Sequence, residues 1–210
     1  MKKRIYLAAA AASVVLAGCA GSYSASVDYD KMAKDVIMKS FKERNQAKME
    51  WLNQDSVNVA CTEADVKGKD IDSTLRKKVE EENMKLVKLP SDGKYFGDWK
   101  AGEKLAQSGR GGTWSDKPGV ANGGNCYNCH KISNTEISYG TLGPSLYQYG
   151  KLRGDSEAVL KYTWGKIYNA KAYNACTNMP RFGSENILTE AQMKDLMALL
   201  LDPNSPVNKN

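Results

Sequence analysis

The stretch GGNCYNCHKIS, residues 123–133, places Cys126 and Cys129 three apart, with His130 directly after the second. His130 is the only histidine among 210 residues. Cys-x-x-Cys-His is the attachment pattern for c-type haem. The spacing has a chemical cause: each thiol adds to one haem vinyl group, and two intervening residues let the backbone span neighbouring pyrroles. The adjacent imidazole then meets the iron from the same side. Two rival readings use the same residues, a redox dithiol and a zinc site. A dithiol needs no histidine after it, and zinc would have to recruit Cys61 or Cys176 as its fourth ligand.

A low-spin electron carrier needs a second axial ligand. With no other histidine, the choice narrows to methionine, with lysine or an open site as the less common solutions. Of eight methionines, Met1 sits in the N-terminal segment, and Met32, Met38, Met49 and Met84 lie far upstream. Met193 and Met197 fall on the apolar stripe of a helix, where core packing accounts for them. Met179 lies in NACTNMPRFG, residues 174–183, between two helical segments and just before Pro180. A proline there limits local backbone freedom and helps to hold the sulfur in place. The alternative is that Met179 packs under the haem edge. Gly143-Pro144-Ser145-Leu146 offers a carbonyl at Pro144 for the second imidazole N–H, a bond that would fix the ring. Read alone, Gly-Pro is also a plain turn.

Around this site the chain reads as all-α with long loops. Residues 98–108 predict a helix capped by Asp98, with Gly102 permitting close approach of the last helix. Residues 109–124 are a Gly-rich loop. Residues 155–172 predict a helix opened by Asp155. Thr189 to Gln192 fits a capping box, followed by Met193, Leu196, Met197 and Leu200 at helical spacing until Pro203. The tail after it, NSPVNKN, is polar and is expected to be loose. Upstream, residues 28–53 and 73–88 carry helical periodicity, the latter with Ser73 as cap. LPSDGKY, residues 89–95, breaks the chain. This sets three segments: 1–18, a helical extension with its tether over 19–89, and a haem domain over 90–210.

Lys2, Lys3 and Arg4 precede a short apolar run, Ile5 to Leu16, too short for the ~20 residues a bilayer span needs. It reads as an export signal. Leu16-Ala17-Gly18-Cys19 has the form of a lipobox, with Cys19 as the lipidated residue; an ordinary signal cut nearby is the alternative. Removing residues 1–18 lowers the formal charge from +6 to +3, too mild to suggest nucleic acid. Of five cysteines, Cys61 and Cys176 remain unassigned. In an oxidising compartment, the periplasm, they are expected to pair with each other, or else to bridge to a partner.

GKYFGDWKAGEKLAQSGRGG, NGGNCYNCH, GTLGPSLYQYGKLRG, NACTNMPRFG and LLLDPNSPVN occur in the order of monohaem class I cytochromes c. Together, over about residues 90–207, they resemble the SoxX family, the small cytochrome subunits of SoxAX complexes. The resemblance implies a class I cytochrome c fold with one covalent haem c. Cys126 and Cys129 would attach it, with His130 and Met179 as axial iron ligands. It implies three partners: a larger SoxA-like cytochrome subunit, the SoxYZ carrier, and a small cytochrome c acceptor. SoxAX couples thiosulfate oxidatively to a carrier cysteine in bacterial sulfur oxidation. Such a chain is enzymatic only as the cytochrome subunit of a heteromeric L-cysteine S-thiosulfotransferase, with no catalytic group of its own beyond the haem. The competing reading is a free-standing periplasmic cytochrome that shuttles electrons. A simple shuttle needs only the core, and the long extension speaks against it.

Overall fold

The computed structural model describes residues 27–209. The export signal and the lipobox with Cys19 therefore lie outside the described residues. The chain divides into two compact units, one up to Phe41 and one from Lys42 onward. In the first, helix α1 (Tyr29–Ser40) starts where the Asp28 carboxylate accepts the Lys31 N–H at 2.9 Å, and none of its residues is buried.

The helix expected over 28–53 thus ends at Ser40. Phe41 is extended, and Asn45 adopts a left-handed conformation with φ 53°. Tertiary bonds outweigh local propensity beyond it. The Asn45 side chain donates to the Trp114 carbonyl at 2.6 Å, and the Gln46 amide donates to Asp116 O at 3.1 Å. Only a short 3₁₀ turn, Met49–Leu52, remains helical before the next element.

The second unit holds α2 (Ser56–Val66), α3 (Ser73–Leu86), α4 (Trp99–Gln107), α5 (Tyr149–Arg153), α6 (Glu157–Tyr168) and α7 (Glu190–Leu201). Among the described residues there is no strand, only an isolated bridge between Arg44 and Ala47. The expected cap at Ser73 is Asp72, whose carboxylate accepts two amides. The cap expected at Asp155 is Ser156. In both cases the cap lies one residue away from the one read in the sequence. The Thr189–Gln192 capping box forms as its residues dictate.

α7 is the central helix. Seven of its residues, from Met193 to Leu201, are buried. α4 crosses it at Gly102, where a Cβ would collide with the Asp195 carbonyl. Trp164 on α6 is 1% exposed, and its indole N–H donates to the Lys88 carbonyl at 2.7 Å. Ser91 donates to the Glu190 carboxylate through both N–H and Oγ. The break at 89–95 is therefore a turn within the unit, and residues 42–89 belong to the same unit as the haem segment.

The tail is not loose. Val207 is fully buried in the core, and Ser205 is buried with its Oγ donating to Leu199 O at 2.6 Å. Asn208 Nδ2 donates to the carbonyls of Leu200 and Asp202. The last carbonyls of a helix need partners, and these polar tail residues supply them. Their polarity serves that function.

Candidate functional site

Asn125, in the left-handed conformation at φ 49°, turns the chain into a single 3₁₀ turn, Cys126–Asn128. The His130 amide donates to Cys126 O at 2.9 Å, closing the Cys-x-x-Cys-His loop on itself. The GPSL segment is pinned directly against it. Gly143 N–H donates to Cys129 O at 2.8 Å and Leu146 N–H to Lys131 O at 2.7 Å. This brings the Pro144 carbonyl to 2.7 Å from His130 Nδ1. With Nδ1–H donating there, the lone pair of Nε2 is left for a metal. Gly143 lies flat against the ring, and any Cβ at that position would collide with the imidazole.

Cys126, His130 and Met179 line one cavity, whose remaining walls are apolar: Ile132, Leu146, Ile167, Phe182 and side chains of α7. Burial pushes the Cys126 thiol up to about 12. A thiol held neutral is a poor exchange nucleophile, so the surroundings of Cys126 do not activate it for disulfide exchange. The zinc reading fails on its donors. Cys61 and Cys176 are bonded to each other, with their Cα atoms 5.5 Å apart. Among the described residues no group of three or more His, Cys, Asp or Glu is placed to hold a metal. One nitrogen donor, one thioether and the Cys126 thiol on an apolar cavity, with Cys129 closing the same 3₁₀ turn, fit a haem c, which would supply the one-electron couple.

Met193 and Met197 are 2% and 0% exposed and pack within the core. Met179 is half-buried on a loop whose amide bonds to Thr177 Oγ1 at 3.1 Å. Beside Cys126, the Tyr127 hydroxyl donates to both Glu103 carboxylate oxygens, at 2.9 and 3.1 Å. Burial raises the Glu103 pKa, against the effect of that hydroxyl. Burial, with the Glu103 charge second, raises Tyr127 as well. This pair, which locks the first turn of the motif to α4, is not legible in the sequence. Neither is α2.

Residues 99–202 match the family described as cytochrome c. This chain carries a cytochrome c domain. With an architecture that is helical and, among the described residues, free of strands, the fold is that of an all-α class I cytochrome c. The chain also belongs to one family with a protein of Aquifex aeolicus (strain VF5) named "Uncharacterized lipoprotein". The two are 33% identical over 215 aligned residues, covering all of both chains. A cytochrome c domain carries a covalently bound haem c and works in electron transfer. No helix among the described residues is long and apolar enough to cross a membrane.

Proposed function

We propose that the chain is a SoxX-type electron-accepting subunit. It carries one haem c on Cys126 and Cys129, with His130 and Met179 as axial ligands. The observation that carries the site is the shared apolar cavity of Cys126, His130 and Met179, with the imidazole fixed by the Pro144 carbonyl. The phrases over residues 90–207 support the SoxX assignment. The name of the Aquifex relative supports a lipid anchor, which this reading places at Cys19 on the periplasmic side; the two or three acyl chains of a lipoprotein hold stably where one does not.

Coupling thiosulfate to a carrier thiol forms a sulfur–sulfur bond and releases two electrons and the thiol proton. A single haem c would supply a one-electron couple only, so the two-electron reaction would need a second redox centre in a larger SoxA-like subunit, with a small cytochrome c as the final acceptor. The fixed imidazole of His130 and the thioether of Met179 would hold the iron, and the apolar walls would exclude water; thioether ligation would raise the potential. The test is haem reduction on adding thiosulfate and the SoxYZ-type carrier. Reduction is expected only with the SoxA-like subunit present. Equal reduction of the isolated chain would point to the free-standing shuttle, and normal turnover without this haem would remove its role.

A further inference from the structure

The loop that carries Met179 packs on the core with one face and borders an open cleft with the other. Met179 lines the haem cavity on one side and a polar cleft of about 610 Å³ on the other. Between Ala170–Ala172, a single 3₁₀ turn, and Pro180 the backbone has no regular structure. On the side of the cleft no packed layer stands behind this wall, so close packing alone does not hold it there.

Discrete ties to residues 55–83 hold it instead. Asn169 Nδ2 donates to Asn83 Oδ1 at 3.0 Å. Lys171 Nζ donates to Asn58 Oδ1 at 2.7 Å. The Ala175 amide donates to Glu80 Oε1 at 3.2 Å. Cys176 is bonded to Cys61, and Arg181 meets Asp55 at 3.3 Å. A small apolar cluster of Ile71, Val79 and Ala175 closes around the disulfide side. The two ties nearest Met179, at Cys176 and Arg181, flank it by three and two residues.

We propose that residues 55–83 are a positioning device for Met179, clamping its loop from outside so that the thioether stays on the haem. This rests on the ligand role proposed above for Met179. A thioether is neutral and binds iron weakly, so its occupancy depends on how far the loop is free to leave. Lys171 supports positioning over bulk stability. It is only 4% exposed, and burial lowers its pKa. Burying an ammonium is a costly way to add stability, but a directional way to fix a backbone.

The test uses haem-containing protein with Cys61→Ser and Cys176→Ser together. Two properties are read: the pH at which the red-edge sulfur-to-iron absorption of the oxidised protein is half lost, and the reduction potential. The clamp predicts a roughly tenfold larger population without the thioether, a fall of about one pH unit in that midpoint, and a lower potential. Val207→Ala, a buried change touching no tie, should lower the melting temperature and move neither property. If the double variant fails to take up haem, Asn58→Ala with Arg181→Gln keeps the disulfide and should shift both properties the same way. Unmoved properties in the variants that carry haem, or an equal shift in Val207→Ala, overturn the proposal. Met179→Ala separates the two readings. If it keeps the band, the ligand assignment itself is wrong. If it loses the band while the clamp variants keep theirs, only the clamp is wrong.

Discussion

The two sides of the haem cavity are built on different principles. On the His130 side, the hydrogen bonds that set the ligand are short-range, the longest being the Tyr127–Glu103 pair 24 residues apart. The imidazole and its carbonyl partner are 14 residues apart, and backbone bonds between residues 127–131 and 140–146 set the geometry. On the Met179 side, the ties span 86 to 126 residues. Local contacts form at little entropic cost, whereas long-range ones must first close a large loop. The disulfide sits on the long-range side, where it helps most. In the chain-entropy picture, closing the 115-residue separation contributes about 4–5 kcal/mol, less any strain.

This contrast can be broken most sharply on the local side. Gly143→Ala places a methyl group against the imidazole. The ring must move, and its bond to Pro144 is lost with it. The expected outcome is a loss of about 1–3 kcal/mol or more, read by thermal melting, with an altered low-spin spectrum. A variant with unchanged spectrum and stability would show that this side yields more than its backbone bonds suggest.

A smaller effect sharpens the other side. Asn83→Ala leaves the fully buried Asn169 amide without its 3.0 Å partner, although Asn83 O remains at 3.4 Å. Asn169 Oδ1 already lacks a protein partner. The expected cost is about 1 kcal/mol, measured by denaturant unfolding, with covalent haem retained.

The smallest effect is acid sensitivity at Asp55. Burial alone would raise its pKa, but the Asn58 amide and the charges of Lys171 and Arg181 outweigh it and hold the carboxyl below its usual 3.8. A folded-state pKa below the unfolded one gives stability that is present above pH 3.8. It is lost as pH falls through the folded value. The pair is partly exposed, so solvent screening keeps its contribution to about 1 kcal/mol or less. Asp55→Asn should flatten this part of the pH–stability curve below pH 4 and leave the curve at pH 7 only slightly lower.

The chemistry of the site was legible because it is written in short phrases. Cys126, Cys129 and His130 act through spacing alone, and Pro144 through its place in a tight turn. The ends of α4 and α7 follow from Asp98 and Thr189, whose side chains cap the next amides whatever surrounds them. Met179 stood out because elimination left one methionine outside both the upstream segment and the helical stripe.

Tertiary structure decided the rest. Nothing in NSPVNKN signals that Val207 is buried, because its burial depends on a helix end that needs partners for its carbonyls. Nothing in residues 42–89 announces that they share a unit with the haem domain. Lys171 reads as surface charge until α2 brings Asn58 to it. The sequence by itself singled out the groups proposed to hold a haem, since covalent spacing and ligand chemistry are local properties. The structure alone decided what holds the Met179 loop in place, since contacts across a hundred residues exist only once the chain has closed.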